Sequence, residues 1–281
     1  MMLSSQLVPA SFSLAAVFAW GTSDFLGGYA SRRANAFQLT AIAHLSGMLL
    51  TAGIAFATHA PFPSRTAVAW ALVAGLSGGG ALAIFYRALS TGRMGLTAPV
   101  AAVLGAAIPT AFGMFSEGLP RAVQIAGFAV ATAGIWLISR TEDNSRPEGI
   151  GMAALAGIGF AGYYLCSKQA GDGSAFWIAA LAKASSFVLT GIIVLITGNA
   201  RQIGRRGSAF GIVAGCLDVT GSVLFIRASQ TGRLDAAVVL SSLYPAITVL
   251  LARLVLKEHF TRWKALGMLA ALIAVPMIAW R

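Results

Sequence analysis

Long apolar stretches separated by short polar breaks set the pattern of this chain. Ten such stretches of about 20 residues run over 10–30, 37–57, 67–88, 95–115, 122–139, 150–170, 175–197, 208–228, 234–256 and 263–280. About 20 apolar residues in helical form span the hydrocarbon core of a bilayer. A backbone in lipid must also satisfy its own hydrogen bonds, so each stretch is predicted as a transmembrane helix. The breaks are polar and mostly short, as in Ser31-Arg32-Arg33-Ala34-Asn35. The longest, 140–148, holds Glu142, Asp143, Asn144, Arg146 and Pro147 and falls near the midpoint. The first stretch is longer than the apolar region of a leader peptide and has no Lys or Arg before it, so it reads as a membrane helix.

The pattern repeats. Phe85-Tyr86-Arg87-Ala88-Leu89-Ser90-Thr91-Gly92-Arg93 returns as Phe225-Ile226-Arg227-Ala228-Ser229-Gln230-Thr231-Gly232-Arg233, 140 residues later. His44 and Lys183 fall at matching positions, as do Glu117 and Glu258. The chain therefore divides into an N-terminal five-helix repeat (1–145) and a C-terminal one (146–281) forming a single membrane domain. Five is odd, so the second repeat enters the membrane from the opposite side. The expected architecture is an all-α integral membrane protein of ten transmembrane helices, built as two inverted five-helix repeats. Such halves, exchanging conformations about a central site, give alternating access.

Composition agrees. Apolar residues are 57% of the chain, charged residues 10%, and the mean hydropathy is +0.79. A soluble domain carries about 25% charged residues, so the expected solvent is lipid. The 32 glycines suit helices that approach closely without a hydrophobic drive, and Gly75–Gly79 and Gly211–Gly215 have the GxxxG spacing. The net charge of +11 resides mostly in the breaks, where headgroup contact and topology explain it better than nucleic acid does. The positive-inside rule then puts the Arg32, Arg87, Arg140 and Arg205 connections in the cytoplasm and both termini outside. Arg87 and Arg227 near helix ends read as headgroup anchors, and Trp70, Trp136, Trp177, Trp263 and Trp280 as interface residues. Cys166 and Cys216 have no paired spacing. A nucleotide-driven pump lacks its GxxxxGK[ST] motif here, and no HExxH or GxSxG marks a hydrolase. His44, His59 and His259 are too scattered for a metal cluster.

Trp20-Gly21 in the first helix, Tyr244-Pro245 in the ninth, and the Glu117…Gly127 and Glu258…Gly267 spacings lie within this ten-helix layout. Together they resemble the EamA-type branch of the drug/metabolite transporter superfamily over nearly the whole chain. The position in the fourth helix that matches Pro245 is Leu104, with prolines instead at Pro99 and Pro109. The resemblance implies a multi-pass secondary transporter of small metabolites in the inner (plasma) membrane, often an exporter, with a central cavity and no cofactor.

Ionisable side chains at membrane depth cost about 2.5–3.5 kcal/mol each on insertion scales, and so point to function. Asp24, His44, Lys183 and Asp218 lie inside predicted spans. One reading pairs Asp24 with His44 and Lys183 with Asp218 as structural locks. The other has them hold a zwitterion or cation, such as an amino acid, or exchange protons with it. Trp20 lies one turn before Asp24 on the same helix face, and Tyr163, Tyr164 and Tyr244 supply further rings for a planar or cationic substrate. An intramembrane enzyme, or a flippase for a lipid-linked substrate, is the alternative use of the same charges. The expected partners are the lipid bilayer, a small-molecule substrate and protons, with the chain as monomer or homodimer.

Overall fold

The protein is described by a computed structural model covering residues 4–91, 94–116, 118–139, 149–171, 173–197, 203–257 and 261–279. These residues form helices joined by short connections: α1 (Ser4–Ser31), α2 (Ala36–Ala57), α3 (Arg65–Thr91), α4 (Met94–Ser116), α5 (Ala122–Ser139), α6 (Ile150–Gln169), α7 (Ala175–Ile196), α8 (Arg205–Thr231), α9 (Leu234–Ser241), α10 (Tyr244–Leu256) and α11 (Arg262–Ala279). Seven stretches among them are long and apolar enough to cross a membrane, with 234–256 counted as one, and Ala122–Gly134 is a shorter apolar helix. Large apolar side chains such as Phe18, Leu49, Phe115 and Leu195 stand exposed on the outside. That surface is expected of a multi-pass protein whose solvent is hydrocarbon. The 140–148 connection, Gly92, Arg93, Glu117, Glu258, His259 and Trp280 lie outside the described residues.

Local chemistry explains the helix ends and breaks. Asn35 starts α2 by accepting the Phe37 and Gln38 backbone N–H groups at 2.9 and 3.3 Å. The ninth predicted span divides in two, because Pro245 has no N–H to continue the ladder. The chain turns there through Ser242 and Leu243, whose N–H groups donate to Val238 and Leu240. By contrast α4 runs on through Pro99 and Pro109, so the Leu104 departure leaves the fourth span continuous.

Packing is reciprocal between the halves. Helix α1 packs on α8, α3 on α6, α2 on α7 and α5 on α11. Small residues permit these approaches. A Cβ at Gly75 or Gly79 would overlap Ala182 or Ser186 of α7, and one at Gly215 would overlap Ala43 of α2. With no side chain in the way, backbone carbonyls come within reach of serine hydroxyls: Ser185 donates to Leu72 at 2.8 Å, Ser186 to Gly75 at 2.7 Å, and Ser46 to Ile212 at 3.3 Å. In the duplicated motif, Phe85 and Phe225 are completely buried at the centre, while Arg87 and Arg227 are exposed. Trp70 and Trp136 are also exposed. Trp177 instead donates its indole N–H to the Ala60 carbonyl at 3.0 Å and packs between Phe56 and Phe62. Cys166 and Cys216 are free thiols.

Candidate functional site

Within the bundle, α1, α3, α6, α7, α8 and α10 line a small cavity of about 40 Å³. A water needs about 10–15 Å³ on this measure, so the space holds a few waters and no metabolite. Its walls include Trp20, Asp24, Tyr163, Tyr164, Lys183, Asp218 and Tyr244, together with Gly78, Phe160 and Ser186. Seven of the eight residues expected from sequence thus meet at one place, and His44 lies outside the lining.

The aromatic wall is built from interlocking rings. Trp20 sits 5.9 Å from Tyr164, 5.8 Å from Phe225 and 6.4 Å from Tyr244, centroid to centroid. Tyr163 lies 5.8 Å from Tyr164. Trp20 is fixed at both ends. Its indole N–H donates to the Asp218 carbonyl at 3.0 Å, and Gly221 makes room for the ring, since a Cβ there would stand 2.6 Å from Trp20 Cδ1. On the neighbouring face, Thr248 donates to the Gly21 carbonyl at 3.0 Å and draws α10 against α1. Gly21 permits the approach, because a Cβ there would meet the Tyr244 carbonyl at 2.6 Å. Ser23 donates to Ala214 O at 2.8 Å, which leaves the Tyr86 hydroxyl to donate to Ser23 Oγ at 3.1 Å. These contacts hold α1, and with it Asp24, in a set rotation.

The charges are arranged unequally. Lys183 and Asp218 form a buried ion pair. Asp24 is 5% exposed and lies within electrostatic range of both, yet makes no ion pair or hydrogen bond among the described residues. The expected Asp24–His44 pair is not formed. His44 is fully buried beside the Gly79 backbone, and neither ring nitrogen makes a hydrogen bond. The reason is geometric: α2 packs on α7, α8 and α3 and only slightly on α1, so His44 faces α3 instead of Asp24. The Tyr244 hydroxyl is buried without a hydrogen bond, and that of Tyr163 faces Ser167 and Ser222 without forming one. No group of three or more His, Cys, Asp or Glu side chains suited to a metal occurs among the described residues.

Sequence reasoning missed Tyr86, Phe160 and Phe225. Tyr86 and Phe225 stand in the duplicated nonapeptide, which is the one sequence signal that marks their positions. It also missed Asp235, which is completely buried. That carboxylate, in the first turn of α9, accepts the Ala236 N–H at 2.7 Å and two hydrogen bonds from Arg233, which also donates to the Gly118 carbonyl at 2.7 Å.

The fold and its cavity define a multi-pass helical membrane protein with a polar, aromatic centre. Residues 147–280 match the model of the EamA-like transporter family. Over that stretch, just under half of the chain, the sequence is similar to the EamA-like transporter family of the drug/metabolite transporter superfamily. Among 28 solved chains of matching fold, one described only as a crystal structure of a protein superposes with a TM-score of 0.73. At 18% identity it covers 96% of this chain and 95% of its own, so the fold likeness extends over both halves. No curated protein matches the chain.

Proposed function

We propose that the chain is a secondary active transporter, an exporter or exchanger of small organic metabolites such as amino acids or related zwitterions and cations. Residues 1–145 and 146–281 act as two inverted repeats and exchange inward- and outward-open forms around the central cavity. The setting is the inner (plasma) membrane, with the chain as monomer or homodimer. One observation carries this reading: ionisable and aromatic side chains from both halves converge on a single cavity deep in an otherwise apolar bundle. Buried charge of that kind is expensive in a membrane and marks substrate or ion pathways. The small volume means that the cavity must widen to admit a metabolite, as alternating access requires.

The test is thermal stabilisation of the purified protein against amino acids, nucleosides, sugars, organic anions and organic cations, followed by flux into proteoliposomes. A ligand that binds the folded state raises its apparent stability by RT ln(1 + [L]/Kd). Uphill flux that collapses with the proton gradient supports proton coupling, and counterflow without it supports exchange. Asp24→Asn is expected to abolish flux while leaving the protein folded, because Asp24 makes no bond whose loss would unfold it. If no soluble metabolite binds or moves, the transporter reading in this form fails.

A further inference from the structure

We propose that Arg233 and Asp235 form a latch that holds one end of the bundle shut, with Asp235 as the residue that positions the Arg233 guanidinium against the other half of the chain. The proposal rests on the transporter reading above and names the contact that one of its two gating steps must break.

The latch sits where the α8–α9 connection meets the end of α4. Arg233 donates from Nε and Nη2 to the two oxygens of Asp235 at 3.0 and 2.8 Å, the fork-on-carboxylate geometry that fixes a guanidinium in one orientation. Nη2 also donates to the Gly118 carbonyl at 2.7 Å, a bond from the C-terminal half to the N-terminal half. The Asp235 side chain is completely buried, while that of Arg233 is 22% exposed. Helix α4 covers the carboxylate: a Cβ at Gly113 would stand 3.1 Å from Asp235 Cβ. Parting α9 from α4 therefore breaks the Gly118 bond and uncovers the ion pair in one movement.

The polar ties of the last turn of α8 stay within the C-terminal half. Gln230 donates to the Gly171 and Gly173 carbonyls at 2.9 and 2.8 Å, and Lys168 to the Ser229 carbonyl at 2.7 Å. They fasten that turn to the α6–α7 connection, so it moves with its own half, and Arg233 is the group that reaches across. The duplicated nonapeptide shows that the device is one-sided. Thr231-Gly232-Arg233 is followed two positions on by Asp235, whereas Thr91-Gly92-Arg93, at the other end of α4, is followed by Gly95. The arginine is duplicated and its carboxylate is not. A contact made in one of two conformations shifts the population toward that one, so the resting protein is biased toward closure at the Arg233 end.

The experiment uses the full chain in detergent, with Cys166 and Cys216 replaced by alanine and one reporter cysteine reacted with a charged, water-soluble thiol reagent. Ser241→Cys in α9 reports the latched end; the native hydroxyl there is completely buried and makes no hydrogen bond. Thr97→Cys, in the first turn of α4 and also completely buried, reports the other end. Asp235→Asn and Arg233→Gln should each raise labelling at Ser241→Cys by about tenfold or more, the shift that loss of a charge-assisted hydrogen bond produces, and leave labelling at Thr97→Cys no higher. The double variant should regain thermal stability, because no charge is stranded, yet stay open to labelling. Arg233→Lys keeps the charge but lacks the fork that spans both acceptors, so its labelling should fall between. Where the other single variants do not fold, Arg233→Lys decides, and an unchanged rate then overturns the latch. So does an unchanged rate in the folded variants, an equal rise at both reporters, or a double variant that is both stable and closed. Each of these leaves the transporter reading standing, which falls separately if the metabolite panel shows neither binding nor flux.

Discussion

Two helix crossings in this bundle are built alike and have opposite chemistry. Where α3 crosses α7, Gly75 lies against the Ala182 carbonyl, and Ser185 donates to Leu72. Where α8 crosses α2, Gly215 lies against the Ala43 carbonyl, and Ser46 donates to Ile212. Each of these residues has its counterpart 139 or 140 positions along the chain. Beside the shared contacts, the residues diverge. Lys183 of α7 reaches an ion pair with Asp218, while the matching His44 of α2 faces the backbone of α3, where Asp218's counterpart is Gly78. In the same way Asp24 corresponds to Tyr164 and Trp20 to Phe160. The duplicated positions make the frame, and the diverged positions carry the charge. A site between two such halves is therefore asymmetric even where its scaffold is not.

The largest expected effect separates the two bases. Lys183→Met leaves Asp218 buried and unpaired, and loss of one partner from a buried pair costs about 3–5 kcal/mol. His44→Leu removes two ring nitrogens that make no hydrogen bond, so a change near zero, or a small gain, is expected. Thermal or denaturant unfolding of both variants in detergent checks this. The double variant Lys183→Met with Asp218→Leu should recover much of the single variant's loss, because no charge is stranded. Equal losses for Lys183→Met and His44→Leu would erase the distinction.

Much of this difference was readable in advance, and the unreadable part has a physical cause. Length and hydropathy alone place the spans, because bilayer thickness dictates helix length. The rarity of charge at membrane depth singles out Asp24, His44, Lys183 and Asp218. The shared face of Trp20 and Asp24 follows from helical spacing. Which helix each face meets does not follow from spacing. Four ionisable groups permit several pairings, and only the packing of α2 away from α1 rules out Asp24 with His44. Tyr86 escaped notice for the same reason: its role depends on Ser23, 63 positions away, and on a glycine at 27 whose Cβ would overlap its ring. The division of the ninth span is implied by Pro245, yet the same residue type leaves α4 continuous. A proline therefore marks a candidate break, and the neighbouring helices decide whether it opens.

A smaller effect sharpens the likeness of the two crossings. In Gly75→Ala the new Cβ would overlap the Ala182 carbonyl oxygen and Ser185 Oγ. Backbone has to move, so a loss of about 3 kcal/mol is expected, the upper part of the usual overpacking range. Gly215→Ala meets Ala43 and Ser46 in the same way and should cost about as much. Gly47→Ala differs. Its Cβ would stand 3.0 Å from Val219 Cβ and 3.1 Å from the Gly215 carbonyl, distances that a few tenths of an ångström of adjustment relieve. A loss of about 1 kcal/mol is expected there. Unfolding midpoints for the three variants test the ranking, and a Gly47→Ala protein less stable than Gly75→Ala would refute it.

The smallest effect tests where the crossings differ in polarity. Ser186 donates to the Gly75 carbonyl at 2.7 Å, and its counterpart in α2 is Gly47, which has no hydroxyl to offer. In exchange, Gly79 of α3 is matched by Val219 of α8, so one crossing sets serine against glycine and the other glycine against valine. Ser186→Ala should cost about 1 kcal/mol, the upper part of what interhelical hydrogen bonds contribute in membranes. Each hydroxyl also bonds a carbonyl of its own helix, Ser186 to Ala182 at 2.8 Å and Ser46 to Ala43 at 3.0 Å, so the interhelical distance decides: Ser46→Ala should cost about 0.5 kcal/mol, since its bond to Ile212 is 3.3 Å long. Double-mutant cycles pairing each serine with the glycine opposite would separate hydrogen bonding from packing. A Ser46→Ala loss equal to that of Ser186→Ala would mean that the length of the interhelical bond does not set its contribution.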